Sequence, residues 1–600
     1  MSKRFMSMRN LKFTIHEFIG KNIKGLTPAG KTDIKSTDMI LNAAFEFAKD
    51  AMHPLFEEMD RHPPQLCDGR VRVHKDVRKI MQTLGDDGWI SATFPEKWNG
   101  QHMSAVLFHA VNFIFSAANY SAAVFQELTI GAAHLIHTFG SETLQQTYLP
   151  HMLSGRWQGT MALTEPEAGS SLGDLITSAT PLKDGSYAIA GDKIFISAGD
   201  HDGVDNVVHL MLARIKDAPS GVKGISLFVV PRLRPDRNGN LIDNDVTVNQ
   251  IFHKMGYRGS PITGLTMGEK NACRGFLVGE PNKGLMYMFQ MMNGARLDVG
   301  TGATGISTAA YHAALDYARI RKQGRSISDK KSIDPVPIIS HPDVKRMLLF
   351  QRAVTEGSLA LILLCGLYDD LSHELREDQR EKYALLLDIL IPVAKSFPSE
   401  MSILSTSQSM QCLGGYGYCD DFPVEQHFRD TRIHPIHEGT TGIQGMDLLG
   451  RKVRILNGKA LVLLMGEIEK TIGEAREHAQ FETASEDMSA VASTVYATTQ
   501  TLFGMKNDRG EEAYLSNATI YLEMFGYFII GWLWLVQAMV AKKQLMGKKV
   551  KKTDIRFYEG KIKVQEYYFA NELPKIQSLA KILTRQVPVT ISTREDHFTN

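Results

Sequence analysis

Residues 186–199 read SYAIAGDKIFISAG. Apolar and polar side chains alternate along them, the two-residue period of a half-buried strand. Working outward, NVVHLMLARI (206–215) and GISLFVVPRL (224–233) are short strand-like runs, and a strand-like MALT (161–164) precedes them. Gly, Asp, Asn and Pro punctuate the spaces between. A β domain is therefore expected over 154–284. On both sides the period changes to that of a helix. Residues 37–153 carry MILNAAFEFAKDAMHPLFEEM, and 285–456 carry AAYHAALDYARIRKQ and MLLFQRAVTEGSLALILL. A further helical block fills 457–600, and 1–36 reads as a polar N-terminal extension. The expected class is α+β and mostly helical: helices, a β domain, helices, more helices.

The chain has 600 residues, 43% hydrophobic and 22% charged. That is an ordinary globular mix, long enough for several cores, and it excludes a disordered or collagen-like chain. Lys plus Arg number 67 against 66 for Asp plus Glu. A near-zero net charge argues against a dedicated nucleic-acid binder. Five cysteines without a CxxC suit a reducing, cytoplasmic setting better than a disulfide framework. The apolar run within 521–541 is interrupted by Glu523 and Gln537, so a buried core helix is expected there rather than a membrane span.

Several motif-like signals fail on context. Gly300, Gly302 and Gly305 spell G-x-G-x-x-G, but inside a helical run with no strand before it, so close helix packing is expected. Asp236, Asn238 and Asn240 imitate a calcium loop that has Leu241 where the turn needs Gly, and they read as a hairpin tip. His434 and His437 lack a third ligand, so no metal is expected. Lys542, Lys543, Lys548, Lys549, Lys551 and Lys552 read as a solvated face.

Three segments hold more chemistry than a scaffold requires. MALTEPEAGSS (161–171) ends in a small-residue turn that can offer backbone N–H groups and hydroxyls to a phosphate or ring carbonyl. Phe195-Ile196-Ser197 sets an aromatic face beside a hydroxyl. QCLGGYGYCDDFPVEQHFRDTRIHPIHEGTTGIQ (411–444) carries glycines that let a ligand approach, then Glu438 in a glycine- and hydroxyl-rich loop. A carboxylate in an apolar, ligand-closed loop has its pKa raised toward neutrality, the profile of a base for a weakly acidic carbon.

In order, TEPEAGS, KIFISAG, RLDVGTGATG, RKQGR, QCLGGYGY, RDTRI and HEGTTGIQ resemble the acyl-CoA dehydrogenase family over roughly 37–453. HDGVDNVVHLMLAR, KGISLFVVPR and the helical C-terminal block are similar to its large branch, which includes the 3-methylmercaptopropionyl-CoA dehydrogenases. The resemblance implies an all-α N-terminal domain (37–153), a middle β-barrel (154–284), a C-terminal four-helix bundle (285–456) and an added helical domain (457–600). It implies one FAD per subunit of a homodimer, held between the β domain and the bundle, an acyl-CoA substrate, and an electron-transfer flavoprotein as acceptor. No nucleic-acid partner is implied. By position, Met161, Leu163, Thr164, Ser170, Phe195, Ile196 and Ser197 would line the flavin. Arg321, Gln323, Gln411, Gly414 and Gly415 would hold the ADP half across the dimer, with Thr440 and Gly442 completing the cofactor site. Ser170, Arg296 and Gly439 would contact the CoA thioester, and Glu438 would be the base. Three departures stand out: His437 where a Tyr usually precedes the base, Ser171 for a common Asp, and Asn293 for a common acid. The rival reading is a family-fold flavoprotein retained for binding, like the DNA-contacting alkylation-response relatives.

Overall fold

The computed structural model describes residues 4–20, 34–236, 238–326, 334–547, 550–585 and 589–599. Its chain divides into two compact units, residues 40–298 and residues 1–39 with 299–600.

In the first unit, helix α1 (Val77–Asp86), helix α2 (Ala105–Phe139) and helix α3 (Glu142–Leu153) precede the β domain. Serines start the last two: Ser104 accepts the Leu107 N–H and Ser141 that of Leu144, satisfying donors that a helix leaves orphaned at its start. α2 is apolar nearly all round and breaks at Asn119 (φ −166°), whose side chain holds the break by donating to Met52 O and accepting from Ala122 N.

The β domain is an eight-stranded sheet. Its strands are β1 (Trp157–Ala162), β2 (Ser178–Pro181), β3 (Tyr187–Ser197), β4 (Asn206–Ile215), β5 (Ile225–Pro231), β6 (Val246–Ile251), β7 (Ile262–Met267) and β8 (Arg274–Val278). β3 pairs with β8, β8 with β5 and β5 with β4, all antiparallel. β2 lies antiparallel to β3 and parallel to β4, which closes the ring. β1 continues along β4, and β7 then β6 extend from β3. Ile189, Ile196, Met211, Phe228, Val230 and Leu265 fill the barrel; along β3 the alternation seen in 186–199 is kept only in part, since the buried positions are Ile189, Lys193 and Ile196, with a bulge before the last. The calcium-loop imitation is a hairpin tip: Asp236 Oδ1 accepts the N–H groups of Asn238 and Asn240.

Helix α4 (Gly284–Ile320) carries the G-x-G-x-x-G, and a Cβ at Gly300 would lie 2.1 Å from Ala394 O. Close packing inside a helix is what Gly300 provides. In the second unit it is followed by α5 (Pro342–Glu374), α6 (Glu377–Leu413), α7 (Val424–Thr431) and α8 (Thr441–Gly450). The added block forms α9 (Lys459–Arg476), α10 (Glu482–Leu515), α11 (Ala518–Leu545), α12 (Lys552–Asn571) and α13 (Lys575–Leu583).

α11 contains the apolar 521–541 run, and α5 is a second helix of comparable apolarity. Both are long and apolar enough to cross a membrane, and 89% of each apolar window is buried within the protein. Of the six lysines of the 542–552 cluster, Lys542 and Lys543 stand in the last turn of α11, and Lys548 and Lys549 lie outside the described residues.

The N-terminal extension departs from the polar reading. Phe5, Met6, Leu11, Phe13, Phe18 and Ile19 are buried, and residues Phe13–Ile19 form a π-helical turn. The Phe13 ring meets Phe557 edge-on at 5.4 Å on α12. The apolar residues sit at irregular intervals, so no single helical period marks them in the sequence.

Candidate active site

Met161 is the penultimate residue of β1, and residues 163–177 loop from the strand to β2. Leu163 and Thr164 are half-buried and Ser170 is exposed. A carboxylate and an ammonium fix this loop. Glu165 accepts the N–H groups of Ile176 (2.6 Å) and Thr177 (3.0 Å), and Lys193 donates to Glu165 (2.8 Å) and Leu163 O (3.0 Å). Burial raises the Glu165 carboxyl, but the Lys193 charge together with the hydrogen bonds from Lys193, Thr177 and Ile176 outweighs it, and the net shift is downward. Burial lowers the Lys193 ammonium to about 8 despite its partner.

Two residues past Lys193, β3 bulges: its register against β7 slips between Thr263 and Leu265. Phe195 takes the left-handed conformation there (φ +58°), unusual for a bulky residue, and the residue is 56% exposed. The bulge turns the phenyl outward against Phe252 (4.6 Å between centroids) while Ile196 points into the barrel core. Ile196 can therefore offer a ligand only its backbone. Ser197 is half-buried, and Arg296 on α4 is buried.

In the second unit, Arg321 follows the end of α4 and is exposed. A short antiparallel bridge holds it: Ile338 N donates to Arg321 O, and Gln323 N donates to Val336 O. His341 Nε2 donates to Gln323 O at 2.7 Å. Gln411 is exposed in the last turn of α6, which ends at Gly414 in a conformation (φ +61°, ψ −135°) that only glycine adopts readily. A Cβ at Gly414 or Gly415 would meet nothing within 4 Å, so their backbones face open space.

Glu438 stands in the turn between α7 and α8. It is left-handed (φ +51°), as is Gly439 after it (φ +88°). Thr440 then caps α8 by accepting the Ile443 N–H, and the Thr441 hydroxyl donates to Glu400. Gln444 is buried and donates from Nε2 to Gly439 O (3.4 Å); among the described residues its Oε1 has no hydrogen-bond partner. Beneath the turn lie two imidazoles, His434 and His437, meeting edge-on at 5.4 Å. Buried Lys395 donates to His434 O at 2.6 Å. Burial pushes His434 down to about 3 and His437 well below its usual value, with the Lys395 charge adding to both. Burial thus favours the neutral form of both rings near pH 7, and Glu438 is the carboxylate that stands in the turn itself.

Each unit by itself offers groups that fit parts of FAD: in the first, hydroxyls at Thr164, Ser170 and Ser197 and an outward aromatic ring at Phe195; in the second, an exposed guanidinium at Arg321 and a glycine backbone open at 414–415. Sequence reasoning missed Lys193, Lys395, Glu400 and Gln444. Their partners lie far away in sequence or on backbone atoms, so no motif spacing marks them.

Three family models match the first three-quarters of the chain: the acyl-CoA dehydrogenase N-terminal domain at 35–156, the middle domain at 160–269 and the C-terminal domain at 282–453. A model described as acetyl-CoA dehydrogenase C-terminal like matches 464–591. The chain is 35% identical to a 3-methylmercaptopropionyl-CoA dehydrogenase of Ruegeria pomeroyi, over 94% of each chain. It is 34% identical to a butyryl-CoA dehydrogenase of Syntrophomonas wolfei, over 98% of each. In fold it is similar to a crystal structure of an acyl-CoA dehydrogenase complexed with FAD from Bacillus anthracis, with a TM-score of 0.72 at 20% identity, covering 95% of this chain and 90% of that one. With a closed middle barrel, a Glu-Gly turn leading into α8, family models over three-quarters of the chain and relatives at this identity over nearly the whole of it, the chain belongs to the acyl-CoA dehydrogenase family.

Proposed function

We propose that the protein oxidises acyl-CoA thioesters to 2,3-enoyl-CoA with Glu438 as the base. Bound FAD supplies the acceptor for the two electrons and the hydrogen that leave the beta carbon. Glu438 takes the alpha proton. Its backbone N–H is the chain's own donor to the thioester carbonyl oxygen, where charge develops. Ser170, Arg296 and Gly439 orient the CoA thioester. Met161, Leu163, Thr164, Ser170, Phe195, Ile196 (through its backbone) and Ser197 hold the flavin, with Thr440 and Gly442. Arg321, Gln323, Gln411, Gly414 and Gly415 hold the ADP half of a cofactor shared within a homodimer.

The observation that carries the reading is the Glu438–Gly439 turn. Two consecutive left-handed residues, one of them a glutamate, cost backbone energy that persists where the surroundings over-determine it. Here the Thr440 cap, the Thr441–Glu400 bond and the Gln444–Gly439 bond do so. The same turn disfavours a role confined to binding, which needs no carboxylate there. An electron-transfer flavoprotein is the acceptor, the cytoplasm the compartment, and short acyl chains, with or without a thioether, the substrates favoured by the relatives' names. The domain limits proposed are 37–153, 154–284, 285–456 and 457–600, after an extension at 1–36.

Anaerobic addition of butyryl-CoA and of 3-methylmercaptopropionyl-CoA to the purified yellow protein tests this. Bleaching of the flavin absorbance by either is expected. A flavoprotein that neither these nor longer acyl-CoAs bleach is not this enzyme.

A further inference from the structure

Lys193 is a lysine with no exposed surface, and Glu165 is 3% exposed. Two charges so far from water carry a desolvation cost that an apolar pair of similar volume would avoid, so the pair needs a reason other than stability. Its bonding supplies one. The ammonium has three N–H groups and three acceptors: Glu165 Oε1 at 2.8 Å, Leu163 O at 3.0 Å and Leu212 O at 2.8 Å. The carboxylate in turn takes the backbone N–H groups of Ile176 and Thr177. Glu165 and Ala168 exchange backbone bonds at 3.1 Å in both directions, and Ile194 N donates to Thr164 O at 2.9 Å.

One side-chain pair thus ties both ends of loop 163–177, which carries Thr164 and Ser170, to β4 through Leu212. The same lysine sits on β3 two residues before Phe195, at the foot of the bulge that holds the phenyl in its left-handed conformation. Leu and Met side chains could fill this volume. They could neither accept the Ile176 and Thr177 N–H groups nor donate to Leu163 O, and the loop would lose its register while the barrel kept its core.

We infer that the Glu165–Lys193 pair is a positioning device for the flavin: it sets the loop bearing Thr164 and Ser170 and the bulge bearing Phe195–Ser197 as one rigid surface. The inference rests on the assignment of those residues to FAD. Glu165 and Lys193 are positioning residues that act through the groups they hold, not through contact with the substrate.

The test uses the full chain, stripped of FAD and reconstituted. The variants are Glu165→Gln/Lys193→Met, which removes both charges and keeps volume, and Thr164→Ala/Ser197→Ala, which removes two of the proposed direct contacts. The readouts are FAD affinity from quenching of its fluorescence, the shape of the bound flavin's visible bands, and the thermal midpoint of the apoprotein. For the charge-pair variant the apoprotein midpoint is expected within about 4 °C of wild type. FAD affinity is expected to fall by about tenfold or more, with altered flavin bands, because small misplacements of positioning groups carry large effects. Affinity within about threefold of wild type in a folded charge-pair variant overturns the inference. If that holds while Thr164→Ala/Ser197→Ala weakens FAD, the inference falls alone. If both variants bind FAD as wild type does, the flavin assignment falls with it. Should the charge-pair variant not fold, Glu165→Gln alone, which keeps an acceptor for Lys193, is judged by the same FAD thresholds.

Discussion

Glu438 sits with φ +51° next to a glycine at φ +88°, over two imidazoles that burial keeps neutral. Glutamine would keep the size and much of the hydrogen bonding of that side chain but cannot take a proton near pH 7. Glu438→Gln should therefore retain FAD and bind acyl-CoA while flavin reduction slows by about 10²–10⁴-fold, the usual cost of losing a positioned base. Stopped-flow reduction under anaerobic conditions measures it, and a rate within about threefold of wild type would move the base elsewhere. Asp430 and Glu425 offer no substitute in the turn, because both lie on α7. Nothing in the sequence HEGTTG announces that the Glu itself, rather than only its glycine neighbour, is left-handed. That conformation follows from what holds the two sides of the turn: α7 with Lys395 on one, the capped α8 on the other.

At the scale of elements, α8 depends on the added helical block. A Cβ at Gly445 would lie 2.8 Å from the backbone of Ala518 at the start of α11, and the Tyr514 hydroxyl donates to Leu449 O. Gly445→Val should therefore push α8 off α11, lowering stability by about 1–3 kcal/mol as overpacking does. Flavin reduction should slow with it, because Thr440, the cap of α8, is two residues from Glu438. Thermal unfolding beside stopped-flow reads both, and an unchanged pair of values would show that α8 can shift freely.

The N-terminal extension and α12 meet α5 around a second buried charge cluster. Glu356 receives Arg352 Nε and Lys561 Nζ, at 2.8 and 2.7 Å, and Lys561 also donates to Gln537. Burial raises the Glu356 carboxyl, but Arg352 and then Lys561 outweigh it and hold it down at about 2. A carboxyl whose folded pKa lies below its unfolded value stabilises the fold above the unfolded value and loses that contribution as pH falls through the folded one. Acid unfolding should therefore include a step between about pH 4.5 and 2 that Glu356→Gln abolishes. At pH 7 the same variant should cost about 3–5 kcal/mol, since it leaves buried Lys561 and half-buried Arg352 without their anion. Denaturant titration at the two pH values checks both, and equal midpoints in wild type and variant would be the contrary result.

For the whole molecule, the proposal that subunits share the cofactor places its weight on Arg321. The residue is exposed at the end of α4, on a short bridge rather than in a core. An exposed arginine contributes about 0–1 kcal/mol through a surface ion pair, whereas a bidentate bond to a pyrophosphate contributes more. Arg321→Ala should lower FAD retention and raise the monomer fraction on dilution, followed together by sedimentation with detection at flavin wavelengths. A variant that stays fully flavinated and dimeric at low concentration would remove Arg321 from the interface.

The sequence by itself determined the order of blocks, because period-two and period-3.6 patterns are local and each buried face must repeat at its own spacing. It also showed the order of the chemical segments, from TEPEAGS to HEGTTGIQ, since each is a short local run. It correctly demoted the G-x-G-x-x-G, which packs inside α4, and the calcium-loop imitation, which is a hairpin tip. The tertiary structure alone decided the rest. Barrel closure falls to β2, four residues of SATP with one buried side chain, too short and too polar to show a period. The break in α2 falls at Asn119, with no Pro or Gly at that point, because its amide finds Met52 O on another segment. The pairing of Glu165 with Lys193 joins residues 28 apart, and that of Glu356 with Lys561 joins α5 to α12. Long-range pairing of buried charges leaves no spacing to read, because its partners meet only after the chain has folded around them.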